Sequence, residues 1–309
     1  MRFQSTSIID FINTFQTYND CYKYLTELKW KDSFRCTKTG CNHTTYWNGT
    51  KPFSRICKKC RKIHSPTQNT IFHGLRFSIK TAFMIVFETQ SSTKSMSDLQ
   101  LARRYKVNRN TTWLFMRKLR KALESSATMD MGIDEGSKVY VDEFVVGGYE
   151  IGMVGRSGNS KKRKIVIAVE TTEDNKIKRA YAKLIGGYSA DDLRPIFDDY
   201  ISKTASVFVD GWRGYNPLAT EWNIGNDEVK MKKSTHPINI VIQQFKSFVR
   251  GIHHHISAPH TEAYLNEFCF KLNRSQWKES LFHSAIRKVV DAFPLLRRQI
   301  LKKSDFGLV

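Results

Sequence analysis

Four cysteines constrain this chain more than any other feature. They are spaced Cys36-x4-Cys41, then Cys57-x2-Cys60. Two short-spaced pairs of this kind are the ribbon form of a structural zinc site. Each pair sits on a tight knuckle, so four thiolates can converge tetrahedrally on one ion. The alternatives are core thiols or disulfides. Met1 to Asp20 carries no basic stretch followed by an apolar run. No secretory signal is therefore expected, and disulfides are disfavoured. His43 and His64 flank the pairs as substitute ligands or as surface histidines. Cys21 and Cys269 have no partner spacing and are expected in cores. A segment this small and polar needs the metal to supply its folding free energy. Tyr46, Trp47, Lys51 and Phe53 lie between the pairs, and Lys58, Lys59, Arg61 and Lys62 surround the second. That mixture suits phosphate contact and base stacking, and it equally suits the packing of a small ribbon.

The rest of the chain is basic. Its 309 residues hold 50 Lys+Arg against 29 Asp+Glu, a net charge of +21. Such an excess points to a polyanion, and first to a nucleic acid, because neutralising phosphates releases condensed counterions. The charge is spread along the chain, which disfavours an amphipathic membrane anchor. No run of about 18 apolar residues is present to form a membrane span. With 40% hydrophobic and 12% aromatic residues, the chain is not a disordered basic tail. The length suits about two domains.

After the cysteines, Ser78 to Gln90 is apolar on a helical period through Ile79, Ala82, Phe83, Val86 and Phe87. Ser97-Asp98-Leu99-Gln100 reads as a capping box that opens a second helix ending near Tyr105. A short turn over Lys106 to Asn108 leads to a third helix from Arg109 to Leu123. Two helices joined by so short a turn match a helix-turn-helix. Arg103 and Arg104 on the second helix, and Arg109, Asn110, Arg117, Lys118, Arg120 and Lys121 on the third, are the residue types that reach bases and phosphates. A solvated basic face is the plainer alternative.

Beyond Ser125 the pattern turns to strands: Lys138 to Tyr149, Lys164 to Thr172, Ile177 to Leu184 and Ser206 to Trp212. A helix is expected over Ser189 to Lys203 and a fifth strand near Glu228 to Met231. This order describes an α/β layer on a mixed sheet. Asp142 lies inside Val139-Tyr140-Val141-Asp142-Glu143, and Asp210 ends Val207-Phe208-Val209-Asp210. An ionised carboxylate within an apolar strand is costly without a cation or partner. Two of them can share divalent ions for phosphoryl transfer. Glu143 is expected on the opposite sheet face, unless a distorted strand end brings it in. Pro237 to Ile252 reads as an amphipathic helix, with Asn239, Gln243, Lys246 and Arg250 within about 60° of one another on its polar stripe. Arg156, Lys161, Lys162, Arg163 and Lys164 form a basic run suited to the DNA backbone, and His253 to His255 invite a weaker metal reading.

Taken together, these stretches resemble a DDE/DDxK-type transposase of the insertion-sequence group that includes the ISXO-like and Merlin-like elements. Phe34-Arg35-Cys36 through Arg61, with Thr70-Ile71-Phe72, is similar to that family's N-terminal zinc ribbon. Val141-Asp142-Glu143 with Gly147-Gly148, and Val209-Asp210-Gly211-Trp212 with Gly214-Tyr215, resemble its two catalytic strands. Lys246 with Gly251 and His253, and then Tyr264-Leu265-Asn266-Glu267-Phe268 with Lys271-Leu272-Asn273-Arg274, resemble its C-terminal segments. The resemblance implies an α/β fold: a ribonuclease-H-like mixed-sheet catalytic domain preceded by a zinc ribbon and a helix-turn-helix. The expected divisions are a helical segment (1–30), the ribbon (31–72), the helix-turn-helix region (73–130), the catalytic domain (131–280) and a C-terminal helix (281–309).

The resemblance also implies a Mg²⁺ (or Mn²⁺) site at Asp142, Asp210 and Asn239, beside a structural Zn²⁺ on Cys36, Cys41, Cys57 and Cys60. Asn239 stands where much of the family has Glu; an amide oxygen can ligate Mg²⁺ but brings no charge. Lys246 would neutralise a phosphate, with Lys162, Arg163, Lys164 and Arg250 along the DNA. The implied activity is metal-dependent cleavage and strand transfer of double-stranded DNA at terminal inverted repeats and target. A homodimer or larger assembly on DNA is expected, with no membrane partner. The expected location is cytoplasmic and nucleoid-associated, or nuclear in a eukaryotic host. The competing functions are a catalytically inactive, transposase-derived DNA-binding regulator and a metal-dependent nuclease.

Overall fold

Helix caps and apolar spacing place most elements of the computed structural model, which describes residues 2–124, 130–147, 162–250 and 258–292. Arg156, Lys161, Gly251 and His253 to His255 lie outside these residues. The chain divides into two compact units, one of residues 2–123 with 276–292, the other of residues 124–275. Among the described residues, no helix is long and apolar enough to cross a membrane.

The first unit opens with α1 (Ile8–Thr14), capped by Ser7, and α2 (Tyr18–Lys29), where Thr17 and Asp20 form a reciprocal capping box. An antiparallel three-stranded sheet follows: β1 (Tyr46–Asn48), β2 (Arg55–Cys57) and β3 (Ile63–His64). Then come α3 (Ile79–Ser91), α4 (Asp98–Tyr105) and α5 (Arg109–Ala122). The Ser97 hydroxyl accepts from the Gln100 amide and caps α4. Lys106 turns left-handed at φ 51°, and the Asn108 side chain then accepts from the amides of Asn110 and Thr111 to start α5. A later helix of the same unit, spanning Leu281–Asp291, packs on α2 and α3. Its Phe282 joins Phe3, Phe11, Phe15, Tyr24, Phe83 and Phe87 in one aromatic core. Phe11 and Phe87 stack at 4.5 Å, and Phe3 meets Phe282 edge-on at 5.5 Å. Burying each such ring is worth about 1.5–3 kcal/mol. Segments far apart in sequence therefore share a single core.

The second unit is a five-stranded mixed sheet. Its strands are β4 (Lys138–Val146), β5 (Arg163–Thr171), β6 (Ile177–Ile185), β7 (Ser206–Val209) and β8 (Asn223–Asn226), in the order β6-β5-β4-β7-β8. β5 runs antiparallel to both β4 and β6, whereas β4, β7 and β8 are mutually parallel. The expected fifth strand over Glu228–Met231 is corrected: those residues form a short helix, α7, and the strand lies upstream at Asn223–Asn226. Asn223, Gly225 and Asn226 are poor strand formers, so pairing with β7 decides their state, while Glu, Lys and Met favour helix.

One sheet face carries α6 (Ala190–Tyr200), with Val139, Val141, Val166, Leu193 and Phe197 buried between them. The other carries α8 (Pro237–Arg250) and α9 (Ala258–Leu272). Ile238, Val241, Ile242, Phe245, Phe248 and Val249 of α8 are all buried, against Tyr140, Phe144, Ile165 and Ile167 of the sheet. The later helix Leu281–Asp291 of the first unit is α10.

Candidate active site and cysteine cluster

Alternation along β4 sends Val139 and Val141 to the α6 face and Tyr140 and Phe144 to the α8 face. Asp142 shares the parity of Tyr140 and Phe144. The parallel register pairs Val139 with Val207 and Tyr140 with Phe208. Continued two residues further, it sets Asp142 beside Asp210. β4 connects to β5 on one side of the sheet and β7 to β8 on the other, so the strand order reverses between β4 and β7. Such a switch point is where open α/β sheets place ligands. β7 ends at Val209, and Gly211 turns the chain away at φ 81°. A Cβ there would meet only the movable end of the Asn226 side chain, so it is the backbone conformation that calls for glycine. Asp210 Oδ1 accepts from the Trp212 amide at 3.1 Å, and Asp142 Oδ1 from the Glu143 amide at 2.7 Å.

Glu143 departs from the expectation of strand alternation. One carboxylate oxygen each from Asp142, Glu143 and Asp210 lies within 4.8 Å of the others. The neighbouring strand β7 stops at Val209, before the position that would pair with Glu143. The Tyr215 hydroxyl is buried at the same place. Burial first, and then the Glu143 charge, raise its pKa well above the ordinary phenol value. Three like charges this close repel one another unless a cation joins them. All the donors are hard oxygens, as Mg²⁺ or Mn²⁺ requires. These residues can hold a divalent metal ion.

Lys246 reaches this region from α8. Its Nζ is 5.8 Å from the Phe144 ring centre. Burial chiefly, with help from Arg250, lowers its pKa, and the charge of Asp142 partly restores it. Asn239 lies two turns earlier on the same stripe. Its Nδ2 donates to the carbonyls of Met231 at 2.5 Å and Lys233 at 2.9 Å. Those contacts tie the first turn of α8 to the end of α7 and fix which branch of the carboxamide is oxygen.

The cysteines form a second cluster. All four Sγ atoms lie within 4.8 Å of one another, with Cys36–Cys60 at 3.5 Å and Cys41–Cys57 at 3.7 Å. A tetrahedron with metal–sulfur bonds of about 2.3 Å has edges of about 3.8 Å. A disulfide would need about 2.05 Å, and all four thiols are free. Burial raises the Cys36 thiol to about 12. Burial also acts on Cys57, but the amides of Cys60 and Lys59 outweigh it and bring that thiol down to about 7. This cluster too can hold a metal ion. His43 pairs with Thr45 at 2.7 Å and His64 packs edge-on against Phe34, neither within the cluster. Cys21 and Cys269 are buried in the cores.

The expected DNA-facing residues divide by environment. Arg103, Arg109, Asn110, Lys121 and Arg250 are exposed. Arg104 is exposed and ion-paired with Glu88. Arg117 lies over the Trp113 ring at 5.9 Å, and Lys118 is half-buried, its pKa lowered by burial. Lys162 and Arg163 are partly exposed, and Lys164 donates to the Gly186 carbonyl at 3.1 Å. Arg120 is a correction. It is 1% exposed, bonded to Asp98 at 3.2 Å and to the Met96 carbonyl at 3.0 Å, so it holds α5 to the start of α4 and cannot reach DNA. A basic residue on a helix of otherwise exposed arginines gives no sequence signal of that difference. In the ribbon, Arg55 sits 4.2 Å from the ring centres of both Trp30 and Tyr46, and Arg61 4.2 Å from that of Trp47. Much of the ribbon's basic-aromatic mixture is thus internal packing.

No curated protein and no solved structure matches the chain. Residues 135–273, which contain β4 to α9 and all three clustered carboxylates, match the ISXO2-like transposase domain family. The second unit of this protein therefore carries a DDE-type transposase domain of the ISXO2-like family.

Proposed function

We propose that this protein is a DNA transposase that binds terminal inverted repeats and carries out metal-dependent cleavage and strand transfer. The observation that carries the reading is the pair formed by Asp142 on β4 and Asp210 just past the end of the adjacent parallel β7, within the ISXO2-like domain, their carboxylates clustered with that of Glu143. The mixed sheet, covered by helices on both faces, supports a ribonuclease-H-like catalytic domain. The tight left-handed turn between α4 and α5 and the exposed Arg103, Arg109, Asn110 and Lys121 support a helix-turn-helix that grips DNA. The four converging cysteines support a structural Zn²⁺.

Asp142 and Asp210 hold Mg²⁺ or Mn²⁺ where β7 ends beside β4, in the middle of the sheet. When bound, such ions activate an attacking oxygen and stabilise the leaving one. Lys246, close enough to Asp142 to sense its charge, neutralises the scissile phosphate or a neighbour. Arg250 and Lys162 to Lys164 follow the duplex backbone. The reaction joins two DNA ends, so a homodimer or larger assembly on DNA is part of the proposal.

The test is incubation with Mg²⁺ or Mn²⁺ and duplex DNA bearing the repeats that flank the gene, beside Asp142→Asn and Asp210→Asn. Wild type should cut and join. Each variant should lose at least about a hundredfold in rate, about 2.7 kcal/mol of transition-state stabilisation. Cutting without joining would establish a nuclease instead. Binding without either would establish a DNA-binding regulator.

A further inference from the structure

The first unit carries two kinds of surface on different elements. Its basic surface is on α4 and α5, where Arg103, Arg109, Asn110 and Lys121 are exposed. A surface of the other kind lies at the start of the chain. Residues 3–22 contain no Lys or Arg, in a chain that holds 50 of them in 309 residues. The two acids of this stretch are engaged locally. Asp10 accepts from the Ser5 hydroxyl at 2.6 Å, and Asp20 closes the capping box with Thr17.

α1 belongs to this stretch. Its Phe11 is fully buried in the aromatic core. Ile8, Ile9 and Ile12 are 47, 66 and 45% exposed. Spacings of three and four residues bring these side chains together on one helix face. Grouped apolar side chains left in water mark a surface that a partner covers.

Charge decides which partner. A duplex or an anionic lipid offers phosphates, and this stretch has no cation to meet them. Two copies of this chain, each at +21, repel wherever their basic surfaces meet. Salt screens charges more than about 10 Å apart, so the repulsion at a contact is set by the charges beside it. A face without Lys or Arg is where two copies approach at low cost. Twofold pairing sets such a face against itself, apolar on apolar.

We propose that the Ile8, Ile9 and Ile12 face of α1 is the contact through which two copies of this chain pair about a twofold axis. The choice of a second copy rests on the transposase reading above, in which two DNA ends are joined; the exposure and charge of the face do not depend on it. Three isoleucines a side bury less than the roughly 1,200 Å² of a stable interface. Free protein therefore dimerises weakly, and two copies held on one DNA pair through their raised effective concentration.

The test is sedimentation equilibrium of the full chain, purified without chelator, over a range of concentrations, beside Ile9→Lys and Ile9→Glu. Wild type should show a reversible monomer–dimer equilibrium. Each variant alone should associate about tenfold or more weakly, because like charges then face each other. Melting midpoint and far-ultraviolet circular dichroism should not change, because the side chain replaced already lies in water. An equimolar mixture of the two variants should recover association, with opposite charges across the axis. Wild type that stays monomeric, both free and on a duplex carrying two repeats, overturns the proposal. Dimers of wild-type strength in both variants place the contact elsewhere and overturn it. A lowered midpoint in monomeric Ile9→Lys shows the face covered by its own chain, and also overturns it. Monomeric wild type that binds phosphatidylcholine vesicles, with binding lost in Ile9→Glu, gives the face to a membrane instead. Cutting and joining are read separately: dimers through α1 in a protein that joins no DNA sink the transposase reading and leave the contact standing.

Discussion

Single residues here take their roles from what surrounds them. Arg120 and Arg109 stand on the same helix, yet the first is buried against Asp98 and the second is exposed. Removing one partner of a buried pair leaves an uncompensated charge and costs about 3–5 kcal/mol. Arg120→Ala should therefore lower the thermal midpoint sharply, whereas Arg109→Ala should keep the midpoint and weaken DNA binding. Melting curves and a DNA titration on both variants check the pair of outcomes. Lys246 carries a pH signature. Burial lowers its pKa below the ordinary 10.5, so its charge disappears at a lower pH than that of an exposed lysine. A protonated lysine is needed at the phosphate, so the cleavage rate should fall as pH rises through that lowered value. Lys246→Arg should move this alkaline limb upward, because a guanidinium stays charged. A rate–pH profile on the two proteins shows whether the limb moves.

At the scale of elements, caps and periodicity carry most of the information. The stripe through Ile238, Val241, Ile242, Phe245, Phe248 and Val249 announces α8, and all six residues are buried. α6 depends on Ser189 and Asp192, whose side chains and amides cap each other. Partial burial raises the Asp192 carboxyl, but the Ser189 hydroxyl and amide, the Gly187 amide and Lys164 outweigh it, and its pKa lies below 3.8. The resulting stabilisation is complete above that ordinary value and is lost as pH falls through the lower folded one. Ser189→Ala should cost about 1 kcal/mol near neutral pH. Asp192→Asn should unfold more readily than wild type near neutral pH and converge with it in acid. Chemical denaturation at several pH values measures both. Short strands behave differently. Asn223–Asn226 has no apolar alternation beyond Ile224, and only the parallel ladder to β7 makes it a strand.

At the scale of the molecule, the cysteine cluster and the catalytic sheet belong to separate compact units. On the proposed structural Zn²⁺, a chelator should expose the amides of β1, β2 and β3 to hydrogen exchange, because that small sheet has little core beyond Phe34, Cys36 and Cys57. The strands β4 to β8 should keep their protection, since apolar residues are buried on both of their faces. Uniform loss of protection along the chain would contradict this independence. The first unit also shows how distant segments combine: Phe3, Phe83 and Phe282 share one core although each stretch read alone offers only an amphipathic helix or a tail.

The sequence by itself determined the cysteine framework, the strand carboxylates Asp142 and Asp210, the helices with regular apolar spacing and the transposase resemblance. These are local properties, set by spacing, residue type and period along the chain. Only the tertiary structure decided that Arg120 is interior, that the last strand is Asn223–Asn226, and that a Glu143 carboxylate oxygen lies with those of Asp142 and Asp210. Each depends on what a neighbouring segment leaves open or fills, and alternation along one strand carries no record of where its neighbour stops.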